Sequence, residues 1–294
     1  MDNIHEIPLQ NQQDCWAMLY MHLCASMVEY CGQRAKGAIR EAVRRLSEDR
    51  GRTLRESHLA AGAKTNLKTL YGGFDCLPDP RVRQTILAET DQVRLWEVYT
   101  CPVADLWVKA GHRDLGLCYC EEYQHALLKA YTGGKAQVNL SALLTCDRDN
   151  HCRFSVYYRR ANLSDAQLKE SFSEPGQSGS EVVPTSPSFR DGLNALSIKT
   201  YYYLLEVAEE RFGKDGVVAV TAGLRELAAA LAPVLKTHAD DTLNTCDRDF
   251  LRENFPLALE TDSESLWAQY SGHNAPLLLQ VNLLDRLKKA LGLS

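Results

Sequence analysis

Two cysteines stand one residue apart in the segment LGLCYCEEYQHALLKAY, which covers residues 115–131. The second, Cys120, is followed by Glu121, Glu122 and, five positions on, His125. A thiolate is the most nucleophilic ordinary side chain, and a helix N-terminus lowers its pKa. Catalysis, metal binding and simple packing in a core are the three uses open to such cysteines.

Catalysis by Cys120 requires that it stand at the start of a helix. If that helix begins at Glu121, its N-terminus favours the thiolate and makes Cys120 the candidate nucleophile. Glu122 is then a candidate acid or base. His125 lies about a turn and a half along the helix, on another face, so a direct pair with Cys120 is not expected. His151, at the edge of a later strand, is the better candidate base.

A zinc site is the alternative use of the same residue types. Zinc prefers four soft ligands in a tetrahedral arrangement, and the candidates are Cys118, Cys120, His151 and Cys152. Their spacing is C-x-C with one distant cysteine, which differs from the paired C-x-x-C of common zinc sites. We therefore predict no cofactor and keep zinc as the alternative. For Cys101 and Cys152, packing in the core competes directly with a role in the site.

The elements that must position these residues follow from hydrophobic periodicity. Two amphipathic helices are predicted on either side of Gly32, and NLKTLYGGFDCLPDP is predicted to be a loop. QVRLWEVYT is typical of a strand, and a short helix begins at Cys101-Pro102. KAQVNLSALLTC and CRFSVYYRR predict two strands around the turn DRDNH. The fold class is α+β: N-terminal helices, then a small, mainly antiparallel sheet with an inserted helix.

The chain divides into three predicted parts. Residues 1–160 form the α+β domain. Residues 161–190 are rich in Ser, Pro and Gly and predict a flexible linker. Residues 191–294 are mostly helical and predict a half-repeat of the first helices. At an offset of 181, Tyr20 pairs with Tyr201 and Gly32 with Gly213, so the break between the helices falls at the same place. Packing, shielding of an opening or dimerisation are the roles expected for this part.

The bulk composition limits the partners. Apolar residues make up 45% of the 294, charged residues 24%, and the formal net charge is -5. The basic residues alternate with acidic ones, which disfavours nucleic-acid binding. We recognise no apolar run of the roughly 18 residues that a membrane span needs, and the N-terminus lacks the pattern of a signal peptide. The expectation is a cytoplasmic protein that acts on a small molecule, and an exposed apolar face on the half-repeat would favour a homodimer.

Three segments in order carry a resemblance to a known family: YTCPVADLWVKAG (99–111), LCYCEEYQHALLKAY (117–131) and LLTCDRDNHCRFSVYY (143–158). Together with the helix pair before them they resemble the L-2-amino-thiazoline-4-carboxylic acid hydrolase family. The likeness covers roughly residues 15–160 and is strongest over 99–158. The matching positions are Cys101, Pro102, Cys120, Asp149, Cys152 and Phe154.

The resemblance implies a hydrolase that opens a C–S or C–N bond in a small cyclic amidine or thiazoline amino-acid derivative. Cys120 would be the nucleophile, with Glu122 and His151 as acid and base. The surrounding residues would be Cys101, Cys118, Tyr123, His125, Asp149 and Cys152. Two positions depart from the family pattern, since Tyr123 stands where Asp is frequent and Arg148 replaces the glycine before Asp149. A non-enzymatic ligand- or metal-binding module, similar to four-vinyl-reductase domains, is the alternative function.

Overall fold

The structure is a computed structural model that describes residues 6–76, 78–173 and 189–293. Its helices confirm the α+β class and flank one small sheet. The α-helices are α1 Glu6–Cys31, α2 Ala35–Ala60, α3 Leu67–Gly72, α4 Pro102–Lys109, α5 Arg113–Tyr131, α6 Asp165–Ser171, α7 Phe189–Phe212, α8 Lys214–Asp241, α9 Arg248–Asn254, α10 Ala275–Leu279 and α11 Asp285–Leu291. A π-helical turn, Gln280–Leu284, joins α10 to α11.

The sheet has four antiparallel strands in the order β1-β2-β4-β3. They are β1 Arg83–Glu89, β2 Val93–Thr100, β3 Gln137–Ala142 and β4 Cys152–Tyr157. Trp96 of β2 lies opposite Phe154 of β4, and their rings stack with centroids 4.6 Å apart. Strands β2, β3 and β4 and helix α4 confirm the elements predicted from their sequence patterns.

Two elements differ from the sequence-based expectation. The segment around residues 66–80 was predicted to be a loop, yet α3 occupies its start. Asn66 explains this helix, because its side chain accepts a hydrogen bond from the Thr69 amide and caps the first turn. Strand β1 was not predicted, because most of its residues are exposed and it lacks the alternation of a half-buried strand.

The N-terminal and C-terminal helix pairs have corresponding breaks. Gly32 separates α1 from α2 with φ +72°, and Gly213 separates α7 from α8 with φ +60°. The ends of α1 and α7 are 181 positions apart, as are the ends of α2 and α8. These facts support the predicted repeat, which stays a prediction together with the division into domains. The pairs pack together closely, since the hydroxyl of Ser26 in α1 donates to the Ala219 carbonyl in α8 at 2.7 Å.

The predicted linker, 161–190, is only partly described. Its first part holds α6, which begins with a capping box between Ser164 and Gln167. The Thr65 hydroxyl lies 3.2 Å from that of Ser171 at the end of α6 and ties this helix to the segment before α3. Residues 174–188 lie outside the described part of the chain, so the prediction of flexibility there stays a prediction.

By length and composition, α8 alone among the described helices could cross a membrane, which the sequence analysis did not recognise. In the fold, 56% of its most apolar 18 residues are buried inside the protein. The helix packs on α1 and α7, and the side chains of Leu224, Leu231 and Leu235 are fully buried. A central core helix has the same apolar composition as a membrane span.

Candidate active site

A cavity of about 610 Å³ lies between α1, α5, α7 and the inner face of β2. Its volume falls within the range of sites that bind small molecules. Seven aromatic side chains line it: Trp16, Tyr71, Phe74, Trp96, Trp107, Tyr119 and Tyr123. Leu193 and Leu196 of α7 also line it, so the C-terminal half of the chain contributes to the cavity.

Tyr119 is the centre of the aromatic wall. Its ring stacks on Tyr123 at 5.0 Å and meets the rings of Trp16 and Trp107 edge-on at 5.5 and 5.6 Å. Both indoles are held by hydrogen bonds, since Trp107 donates to the Ala17 carbonyl at 2.9 Å and Trp16 donates to the Thr200 hydroxyl at 3.0 Å. Paired polar atoms and packed rings keep this wall rigid.

An ion pair between a buried arginine and a partly exposed aspartate lies at one side of the cavity. Arg50, only 3% exposed, binds Asp75 through two nitrogens, with Nε at 2.9 Å. The same guanidinium donates to the Tyr123 hydroxyl at 2.5 Å and to the Cys76 sulfur at 3.3 Å. Tyr123 stands at the position where the resembled family often has Asp. In this protein its hydroxyl accepts the hydrogen bond from Arg50.

Two further charged residues line the cavity. Arg94 lies over the rings of Tyr71 and Trp96, 4.3 and 5.4 Å from their centroids. Asp79 is nearly fully buried and accepts hydrogen bonds from Arg81, including Nε at 3.0 Å and the backbone amide at 2.8 Å. The cavity therefore joins an apolar wall to fixed charges of both signs.

Cys101 and Cys120 both line this cavity, but their local settings differ. Cys101 is the N-cap residue of α4, and Pro102 follows at the first helical position. Burial raises the pKa of Cys101, while the amides of Val103 and Ala104 lower it, although neither forms a full capping hydrogen bond. Cys101 is thus the cavity thiol with the helix N-terminus beside it.

The expected helix start at Glu121 is wrong. Helix α5 begins at Arg113, with His112 as its N-cap residue. Cys120 is therefore the eighth residue of the helix and lies two turns after its start. Burial raises the pKa of Cys120, and the neighbouring thiol of Cys101 acts in the same direction. The helix N-terminus therefore gives Cys120 no activation, and an apolar setting keeps it neutral.

The other residues predicted to assist Cys120 lie away from the cavity. Glu122 forms an ion pair with Arg44 at 3.0 Å on the face of α5 that meets α2. His151 is 2.8 Å from Asn150 Oδ1 beside the start of β4. The structure does not bring Cys120, Glu122 and His151 together as one catalytic group.

The remaining predicted residues occupy three other positions. Cys118 is buried, and the Arg40 guanidinium on α2 partly opposes the rise that burial causes in its pKa. His125 and Asp149 line a separate groove of about 460 Å³, where Leu143 donates its amide to Asp149 at 2.8 Å. Cys152 is buried, and its sulfur accepts the Leu144 amide at 3.2 Å.

The proposed zinc ligands do not converge. Across residues 6–76, 78–173 and 189–293, no group of three His, Cys, Asp or Glu side chains is arranged to hold a metal ion. Cys120 faces the cavity, whereas Cys118 contributes to the environment of Tyr20 and Cys24 on α1. The C-x-C spacing on a continuous helix sends the two side chains in different directions.

Four charged residues at or beside the cavity were not predicted from the sequence: Arg50, Asp75, Asp79 and Arg94. For Arg50 a signal existed, because it continues the apolar stripe of Val43, Leu46 and Leu54 at helical spacing. For Arg94 the signal was alternation, since it shares a face of β2 with Trp96. A charged residue on an apolar face is an indication of function or of a buried partner. Asp75 and Asp79 lie in irregular chain, where periodicity gives no information.

The fold and the cavity define an α+β protein with an aromatic pocket that is lined by three thiols, those of Cys76, Cys101 and Cys120. The model of the L-2-amino-thiazoline-4-carboxylic acid hydrolase family matches residues 13–160, and the chain belongs to this family. Comparison with curated proteins and with solved structures gave no match. The matched segment supplies all the cavity residues except Leu193 and Leu196.

Proposed function

We propose that the protein is a hydrolase that opens a C–S or C–N bond in a cyclic amidine, with thiazoline amino-acid derivatives as its substrate class. The observation that carries this proposal is the placement of Cys101 and Cys120 in one aromatic cavity within the family segment. The flat walls suit a planar heterocycle, and the thiols supply the reactive atom.

Of the three cavity thiols, we propose Cys101 as the nucleophile in place of Cys120, while the Cys76 sulfur is held by Arg50 at 3.3 Å. Pro102 has no amide hydrogen, so the first free amides of α4 belong to Val103 and Ala104. These amides favour a thiolate at Cys101, against the opposing effect of burial. At Cys120 no helix amide takes this part; the Thr145 side chain alone lowers its pKa, against the larger effect of burial, and Cys120 forms part of the pocket wall.

The chemistry balances with water as the sole co-reactant. The Cys101 thiolate adds to the amidine carbon, and the ring sulfur leaves as a thiolate that takes a proton from water, which gives a covalent isothiourea. Water then adds to the same carbon, and the Cys101 sulfur leaves to give the carbamoyl product. Asp79, whose charge raises the pKa of Cys101, is the proposed acceptor for the water proton. Only side chains and water take part, so the proposal requires no cofactor.

The test is release of thiol from L-2-amino-thiazoline-4-carboxylate, followed with a disulfide dye after the protein's own thiols are subtracted. Wild type is compared with Cys101→Ser and Cys120→Ser. The control is Cys246→Ser, because Cys246 does not line the cavity. We expect Cys101→Ser to lose at least a hundredfold in rate, and Cys246→Ser to match wild type. Loss only in Cys120→Ser, at unchanged thermal stability, would return the role of nucleophile to Cys120.

Binding without turnover is the second candidate function. It is favoured by one observation, since burial raises the pKa of all three cavity thiols and so favours their neutral form. A protein of this kind would bind the thiazoline and release no thiol at any pH. Equilibrium binding measured beside thiol release separates the two functions.

A further inference from the structure

Two chemically distinct ends of the cavity lie along β2. Arg94 stands near the start of this strand and Cys101 directly after its end, and both residues line the cavity. Strand residues rise about 3.3 Å each, so the two Cα atoms are roughly 20 Å apart. The Arg94 guanidinium lies over the ring of Trp96, two residues nearer to Cys101, so the guanidinium and the thiol still stand on the order of 10 Å or more apart along β2.

Arg94 has an unused binding edge. Its side chain is 12% exposed, and Nη1 pairs with Glu89 on β1. Its Nε is buried and has no hydrogen-bond partner among the described residues. Burial lowers the pKa of Arg94, with Tyr71 opposing this, but a guanidinium keeps its charge in proteins. A buried donor without a partner is unfavourable, so the guanidinium gains a hydrogen bond when an incoming carboxylate displaces the contacts that cover Nε.

The space exceeds what a bare thiazoline amino acid fills. L-2-amino-thiazoline-4-carboxylate has nine non-hydrogen atoms, which occupy at most about 270 Å³ even at the roughly 30 Å³ that each water takes in the liquid. The cavity holds about 610 Å³. Five bonds separate the amino nitrogen from a carboxylate oxygen, so the molecule spans about 6 Å. Such a molecule cannot reach Cys101 and Arg94 together.

We infer that the cavity is built for an elongated ligand: a cyclic amidine head beside Cys101, an apolar or aromatic middle, and a terminal carboxylate bound by Arg94. The head rests on the proposed function, whereas the length and the anionic end rest on the geometry of β2. Tyr71 and Trp96 flank the path to Arg94 and provide flat surfaces for the middle part. An amide-extended thiazoline amino acid belongs to this class.

Equilibrium binding of three synthetic probes tests the inference. The probes are L-2-amino-thiazoline-4-carboxylate, its amide with L-phenylalanine, and its amide with L-phenylalaninamide, which lacks the carboxylate. Calorimetry on Cys101→Ser protein excludes turnover. We expect the phenylalanine amide to bind at least tenfold more tightly than the other two probes. In Arg94→Gln the acid and the carboxamide should bind equally.

Arg153→Gln is the matched control, because Arg153 also pairs with a strand glutamate, Glu97, but does not line the cavity. It should keep the preference for the acid. Equal affinities of the three probes in protein that retains Arg94 would overturn the inference, even if Arg94→Gln fails to fold. Thiol release from the bare ring together with equal affinities would leave the proposed function standing and discard the elongated ligand. If the probes show the expected affinities but none of them releases thiol, the elongated ligand stands and the proposed function is discarded.

Discussion

Gly51 of α2 lies directly against the main chain of Leu127 in α5. A Cβ atom at Gly51 would stand 2.3 Å from the Leu127 carbonyl oxygen and 2.9 Å from the Cβ atom of Ala130. Helix α2 carries Arg50 at the position before Gly51, and α5 carries Tyr123 one turn before Leu127. The close approach of the two helices therefore sets the hydrogen bond between Arg50 and Tyr123 at the cavity.

Gly51→Ala should force α2 away from α5. Overpacking of this kind lowers the free energy of unfolding by about 1–3 kcal/mol. Gly37→Ala is the matched control, since Gly37 lies in the same helix with nothing within 4 Å of an added Cβ. It should raise the free energy of unfolding by about 0.5–1 kcal/mol through helix propensity. Urea unfolding measures both, and equal stability of the two variants would show that the helices move apart freely.

Asp75→Asn should be strongly destabilising, because it leaves the Arg50 guanidinium buried without its counter-charge. Removal of one partner of a fully buried pair costs about 3–5 kcal/mol, and the Asp75 side chain is 29% exposed, so the expected loss is about 3 kcal/mol. The matched control is Asp114→Asn, which removes an exposed partner of Lys36 at 2.7 Å. That change should cost about 1 kcal/mol or less. A similar small loss in both variants would mean that water replaces Asp75 at the guanidinium.

Some of the residues that form the cavity could be predicted from the sequence, and others could not. The strand alternation around Trp96 predicted β2, and Cys101-Pro102 predicted the start of α4, so the position of Cys101 at a helix N-terminus could be foreseen. The role of Cys120 could not, because the start of α5 depends on a tertiary contact. Gly116 in the first turn discourages a helix by propensity, yet a Cβ there would lie 2.7 Å from the Trp107 ring. The glycine is needed for packing, and the helix continues through it.

The separation of Cys120 from Glu122 and His151 has a similar cause. Glu122 is two residues from Cys120 and so points to another side of α5. There it forms ion pairs with Arg40 and Arg44 of α2. Their closeness in sequence suggested that Cys120 and Glu122 share one site, but on a helix the two side chains point in different directions. The partners that do reach the cavity, Arg50 and Arg94, come from distant segments and become visible only when the helices and the sheet are assembled.

Alkylation of Cys101 by iodoacetamide should accelerate with pH. Burial raises the pKa of this thiol above its ordinary value despite the α4 amides, so the thiolate is the minor form at neutral pH. Below its pKa the thiolate fraction, and with it the rate, grows about tenfold per pH unit. Mass spectrometry of the Cys101 peptide between pH 7 and 9 measures this rate. A plateau below pH 8 would show that the amides of Val103 and Ala104 outweigh burial.

Alkaline pH should also destabilise the fold through its buried thiols, of which Cys24 is a fully buried example. Burial raises the pKa of Cys24 well above its ordinary value, so the folded state keeps the proton that the unfolded state loses above about pH 8.5. The unfolded state then binds fewer protons, and the free energy of unfolding falls by about 1.4 kcal/mol per pH unit for this group. Below pH 8 both states are protonated, so the contribution there is constant. Urea unfolding of wild type and Cys24→Ala between pH 6 and 10 should give parallel curves below pH 8 and a shallower decline for the variant above pH 9. Parallel decline in both would assign the alkaline loss to other groups, such as the buried tyrosines.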